Sequence, residues 1–281
     1  MTLITPPDSI PSPTAEELPV SSIAPFKRLR KPRHLVQFAL EGAAPLTSAD
    51  LLAVTTAFRS RLTRHALTAL TGQDTRWSDA SPEMRYQVRL LAGRETGSAP
   101  LRGHEHLRVL LWFEGSIPTK LFVHRDTPLH RWEVAAVMRA AEEPLQWLER
   151  AGGGVPVPLL PLPEDAPPPP GFDGTSAKIW SSVTELASPF PVPEAGDPAR
   201  AVKIEDVLAR ELVVEGHPTP RLVEVRGEPG GPEWVRVNSR HREQGSTRRH
   251  FRLRLTFGEP IAGPLLLGQS SDSGLGLFRP E

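Results

Sequence analysis

HFRLRLTFGEPIAGPLLLGQSSDSGLGLF, His250 to Phe278, is the stretch whose reading decides the fold. Its first half alternates. Phe251, Leu253, Leu255 and Phe257 fall on one side of an extended chain, and Arg252, Arg254 and Thr256 fall on the other. A half-buried strand follows from that pattern. A turn is expected at Gly258 to Pro260, then a second apolar run, then a loop carrying Gly268, Gly274 and Gly276 before Leu277 and Phe278. Glycines beside arginine-bearing strands permit two things: a backbone that comes close to a phosphate, or a loop that needs positive φ at two points.

Working outward, the flank on the N-terminal side is rich in arginine. Trp234 to Val237 and Phe251 to Phe257 read as the strands of a hairpin turning at Gly245-Ser246. Arg236, Arg240, Arg242, Arg248, Arg249, Arg252 and Arg254 lie on it, so several must share a face. Such a face either holds phosphates, which gives affinity without sequence information, or is simply solvated. Leu222 to Val225 and Lys178 to Ser182 read as further strands. Lys203 to Val214 reads as a helix with Ile204, Val207, Leu208 and Leu212 on one side.

The stretch from Gly152 to Gly174 breaks the pattern with glycine and proline and is expected to be a semi-rigid connector. Before it, Arg33 to Leu40 reads as a strand. Thr47 or Ser48 caps a helix whose apolar positions include Leu51, Val54, Phe58, Leu62 and Leu67. That helix carries Arg59, Arg61, Arg64 and His65 towards its expected C-terminal end. A short element at Tyr86 to Leu91 precedes a buried strand, Leu107 to Phe113, and its antiparallel partner, Leu121 to His124. A second helix is expected from Pro128 through Leu148, ended by Gly152 to Gly154. Strand, helix, strand, strand, helix is the order of a ferredoxin-like half. The whole chain therefore reads as α+β, with two tandem ferredoxin-like domains. Residues 1–32 form an expected disordered tail ending in the basic cluster FKRLRKPR. Residues 33–152 are the first domain, 153–174 the proline-rich linker, and 175–281 the second domain.

Composition narrows the classes. In 281 residues, 33 basic and 33 acidic side chains cancel, so net charge alone favours no polyanion. With no cysteine, disulfides and thiolate metal sites are excluded. No apolar run reaches membrane-spanning length and the N-terminus lacks a signal peptide's apolar core, so a soluble cytoplasmic protein without a membrane partner is expected. In GHEHLRVLLWFEG, His104 and His106 open a strand on one face. Such a pair serves as metal ligands, as hydrogen-bonded edge residues or as proton-transfer groups. Glu105 points the other way and Glu114 lies at the far end of the strand, so a third ligand is missing and no metal is expected.

The strings LRGHEHLRVLLWFEG, VNSRHREQGSTRRHFRLRLTF and GPLLLGQSSDSGLGLF resemble the RAMP superfamily of CRISPR-associated proteins. They look like the RNA-processing half of the subtype I-G (formerly I-U) fusion protein. The shared features are a Gly-His-x-His strand opening, an Arg-rich strand pair and a terminal segment running from Gly-Pro to Gly-Leu-Gly-Leu-Phe. The resemblance covers roughly Arg33 to Phe278, in a chain too short for the whole fusion. It implies RRM-like tandem folds and a cofactor-free endoribonuclease that processes CRISPR precursor RNA. Its partners would be CRISPR repeat RNA, the crRNA product and other type I effector-complex subunits. Cleavage without metal needs a base for the ribose 2′-OH, an acid for the leaving 5′ oxygen and cations for the phosphorane charge, and histidine suits both proton roles. The resemblance assigns catalysis to His104, His106 and His65. It assigns RNA contacts to Arg64, Arg102, Lys120, Arg236, Arg240, Arg242, Arg248, Arg249, Arg252, Gly268, Gly274 and Gly276. One departure stands out: Ser271-Asp272-Ser273 occupies the place where the family carries a His. That departure leaves open a catalytically inactive subunit that only binds repeat RNA.

Overall fold

The first strand sets the layering. Val36, Phe38 and Leu40 are buried on one side of β1 (Leu35–Leu40), while Leu35 and Gln37 face the other way. The computed structural model describes residues 33–41, 48–91, 107–115, 117–146, 156–187, 204–230, 250–268 and 274–281. The expected tail and the expected strand Trp234 to Val237 lie outside them. Among the described residues, no helix is long and apolar enough to cross a membrane.

Over β1 lies α1 (Ser48–Thr71), which presents Leu51, Val54, Phe58, Leu62 and Ala66 to the sheet at three- and four-residue spacing. It ends at Gly72, whose φ of 73° suits a helix terminus. Because Ala66, Leu67 and Ala69 are buried too, the helix runs on past His65. Arg59, Arg61, Arg64 and His65 therefore sit in mid-helix, not in the last turn where a helix dipole would account for them. The short element expected at Tyr86 is α2 (Pro82–Leu91), whose Met84 N–H is capped by Ser81 Oγ at 3.2 Å.

Then come β2 (Arg108–Glu114), β3 (Ile117–His124) and α3 (Arg131–Glu142). The helix stops well short of Leu148. Glu143 takes φ −87° and ψ 127°, the extended conformation that the following Pro144 imposes. A short pair, β4 (Leu145–Gln146) with β5 (Pro156–Val157), leads to β6 (Leu159–Pro161). The sheet order is β2-β3-β1-β6, antiparallel throughout. The fourth strand thus lies within residues that the sequence reads as a linker. The physical reason is that β6 is an edge strand, where proline costs no ladder hydrogen bond.

In the second module, β7 (Ser176–Ser182) and β8 (Leu186–Ala187) pair in succession with β10 (His250–Ala262), Trp180 opposite Leu255 and Leu186 opposite Phe251. They act as one strand interrupted at 183–185. After α4 (Ile204–Val214), β9 (Leu222–Gly230) covers the far side of β10, and β11 (Phe278–Pro280) pairs with β7. In both modules the last strand edges the sheet, followed by the first, the third and the second. Two tandem ferredoxin-like modules are present. They are not copies. Where the first has α3, the second has the irregular glycine-bearing segment after Ala262. The turn expected at Gly258 to Pro260 is a register shift within β10, between Thr256 and Ile261.

That segment joins the modules. Strand alternation sends Val109, Leu111, Leu121 and Val123 towards the helices, and Leu110, Trp112 and Phe122 to the other face. There Leu266 and Leu277 cover them, while Leu275 reaches into the first module's own core. Gly276, at φ 62°, passes so close to Leu267 that an added Cβ would overlap its carbonyl oxygen. Gly276→Ala is expected to cost roughly 3 kcal/mol or more in urea denaturation. Gly115→Ala, with a similar φ of 67° but nothing within 4 Å of its Cβ, should cost only about 1 kcal/mol.

Candidate nucleic-acid interface

The sequence nominates His65, and the fold gives it a partner. Its Nε2 lies 3.6 Å from Glu143 Oε1, just beyond α3. Arg64 Nη1 stands 3.7 Å from the same oxygen, and Arg61 Nε is 3.4 Å from Oε2. Arg61 also donates to the carbonyls of Glu143 at 2.6 Å and Pro144 at 2.8 Å. The chain end exposed by the early stop of α3 is thus held by the basic side of α1. An imidazole beside a carboxylate can transfer a proton, and Arg64, largely exposed, stands next to it.

Among the described residues, the other nominated groups do not join this cluster. Lys120 lies on the opposite face of β3 from Leu121 and Val123, so the sheet separates it from α1. Its Nζ is 3.5 Å from the carbonyl of Pro167. Gly274 would bring a Cβ within 3.3 Å of Leu51, fourteen residues before His65 on the same helix. That separation is about 21 Å. His104, His106, Arg102, Arg236, Arg240, Arg242, Arg248 and Arg249 lie outside the described residues. Leu107, which follows the histidine pair, has its carbonyl held by Arg59 Nη2 at 2.8 Å.

On β10, Arg252 is exposed and 3.6 Å from Glu185, while Arg254 binds Glu281 at 2.8 Å and Glu224 at 3.0 Å. Hydrogen bonds from Arg254 hold the Glu281 carboxyl below its ordinary range. The described end of the Arg-rich face is therefore already matched by carboxylates. The glycines, too, spend their amides within the protein. Gly276 N–H donates to the Glu185 carbonyl at 2.8 Å, and Gly268 N–H donates to Glu211 Oε1 at 2.7 Å. At these two positions the amides face protein oxygens.

Two features escaped the sequence. The first is a polar cluster at the seam between the modules. Arg108 and His124 are opposed on β2 and β3, both buried. Arg108 lies 3.6 Å from Asp126 and 4.0 Å from Glu215, just past α4 of the other module. His124 Nε2 is 3.9 Å from Asp126, with Phe172 edge-on to its ring at 5.0 Å. The alternation that puts Leu110 on the seam puts Arg108 there also, but nothing local announces its partner from residue 215. Among the described residues, no group of three or more His, Asp or Glu is arranged to hold a metal.

The second is Glu211. Burial pushes its carboxyl up to about 7; the Gly268 hydrogen bond opposes this and the neighbouring Glu215 adds to it. The folded pKa exceeds the ordinary 4.5, so the protonated form is favoured by folding. Stability from this group is lost as pH rises from 4.5 through 7. Glu211→Gln keeps an oxygen for Gly268 without the charge. In urea denaturation it should gain roughly 2–3 kcal/mol over the wild type at pH 8 and almost nothing at pH 4.5. An equal effect at both pH values would show that Glu211 does not titrate there.

The geometry defines a class: an α+β protein of two ferredoxin-like modules joined by a glycine-bearing segment. Neither a protein-family model nor a curated protein sequence matches the chain. Among solved structures it is similar to Csf5, a CRISPR-Cas type IV Cas6 crRNA endonuclease, at 17% identity and a TM-score of 0.39 over 88% of this chain and 98% of that one. It is also similar to a Cas6 product complex at 13% identity and a TM-score of 0.41, covering 88% and 99%. An RAMP protein binding different RNA substrates gives 13% identity and 0.38, again over 88% and 99%. Likeness at that level assigns no function, and the strand order stands by itself.

Proposed function

We propose that the protein binds CRISPR repeat RNA and cleaves the precursor without metal, leaving a 2′,3′-cyclic phosphate and a 5′-hydroxyl. The observation that carries this reading is the segment Gly263 to Phe278. Its sequence resembles the terminal motif of RAMP processing nucleases, and in the fold it locks two ferredoxin-like modules together. In this reading His65, His104 and His106 supply the acid and base, and Arg64, Arg102 and Lys120 meet phosphates. The arginines of the 236–252 stretch orient the RNA. The product stays bound within a cytoplasmic type I effector complex.

A second reading has its own support. Glu143 already engages Arg61, Arg64 and His65, and Ser271-Asp272-Ser273 stands where the family carries a His. A subunit that binds repeat RNA without cutting it fits those two facts. End-labelled repeat RNA incubated with the protein in EDTA separates the readings. The first expects one cut that survives chelation and falls about 10²- to 10⁴-fold in at least one of His65→Ala, His104→Ala and His106→Ala. Tight binding with no cut would establish the second.

A further inference from the structure

Among the described residues, most aromatic side chains are hidden. Phe38, Phe58, Phe122, Phe257, Phe278, Trp112 and Trp180 are buried. Among the described residues only Trp77, 39% exposed, and Tyr86, 47% exposed, leave more than a third of an aromatic side chain in solvent. Both lie on one added element, the short 3₁₀ turn Trp77–Asp79 and α2, inserted between α1 and β2.

The element is tied to the core. Val88 and Leu91 anchor α2 in the core, and Ser81 caps it. Arg85 Nη2 reaches back to the Ser78 carbonyl at 2.7 Å, tying the helix to the turn that bears Trp77. Arg89 places its guanidinium 5.8 Å from the centre of the Trp77 ring. On a helix, Arg85 and Arg89 are one turn apart, and Tyr86 and Arg89 are neighbours on one side. Asp79 shares the 3₁₀ turn with Trp77 and Glu83 stands in the first turn of α2, while Arg76 precedes the turn and Arg85 and Arg89 follow along the helix.

Exposed rings flanked by arginines match the chemistry of an unpaired nucleic-acid strand: bases stack on the rings and phosphates meet the guanidinium groups. The usual stacking surface of an RRM-like fold is not open in the first module. Its sheet carries α1 and α3 on one face and has Leu266 and Leu277 packed on the other. We propose that Trp77 and Tyr86, with Arg85 and Arg89, form a stacking platform for single-stranded RNA adjoining the bound repeat. This rests on the RNA-binding reading above and adds a contact that neither the Arg-rich hairpin nor the histidines supply.

The test uses the full chain with two probes, a labelled repeat hairpin bearing a single-stranded extension and the same hairpin without it. Trp77→Ala and Tyr86→Ala change exposed side chains, and melting temperatures are recorded beside the affinities. Each variant is expected to weaken binding of the extended probe about fivefold or more. Binding of the blunt hairpin should be unchanged. Trp77→Phe should retain most of the affinity, because the stacking face remains. Arg89→Ala should weaken binding and flatten its salt dependence by about one unit of slope. Wild-type affinities in both alanine variants overturn the platform while leaving the RNA-binding reading intact. Loss of assembly with a protein subunit, with RNA affinity unaltered, overturns it too and makes the face a protein contact. Failure of the wild type to bind either probe overturns both readings together.

Discussion

The rest of the molecule depends on one close approach, the passage of Gly276 against Leu267. Only a residue without Cβ lets the two runs of the terminal segment lie that near. The approach is fixed by Leu267 N–H donating to the Gly276 carbonyl at 2.9 Å and Gly276 N–H donating to Glu185. It sets Leu266 and Leu277 side by side on Leu110, Trp112 and Phe122. Burying each such side chain contributes roughly 2 kcal/mol. The first sheet is thereby closed on both faces, as parallel sheets usually are and antiparallel sheets often are not.

The seam is not purely apolar, and its polar part constrains geometry more than it stabilises. Arg108 is drawn out of water between Asp126 of its own module and Glu215 of the other. Desolvating such a group offsets much of the attraction, so the cluster fixes the orientation of the two modules at little net gain. Arg125 and Glu133 show the tighter version within one module. Both are buried, joined by two hydrogen bonds of 2.6 Å, and Glu133 also accepts the His130 backbone N–H at the start of α3.

Alternation made the strands legible: the burial of Leu253, Leu255 and Phe257 against the exposure of Arg252 follows from the sequence pattern. Helical spacing likewise revealed α1 and α4. What the sequence concealed was set by neighbours distant along the chain. Proline at β6 reads as a linker until an edge position excuses it. The end of α3 turned on one residue, Pro144, inside an otherwise helical pattern. Of the nominated site, the fold brings His65 and Arg64 together at Glu143 and sets Lys120 and the glycines elsewhere. Sequence could supply residue types suited to the chemistry, but the face on which each falls depends on long-range packing. Glu211 gave no signal at all, because the amide that donates to it, Gly268, is 57 residues away along the chain.

Leu275 belongs to the core of the first module although nearly the whole chain separates it from β1. A growing chain can pair β1 with β3 early, but the core that holds Leu51 and Val109 lacks one of its members until Leu275 arrives. The two modules therefore share a core residue, unlike domains that fold one after another during synthesis. Contacts of such long sequence separation slow the final step and make it cooperative. Until that segment arrives, Leu110, Trp112 and Phe122 lack the cover of Leu266 and Leu277.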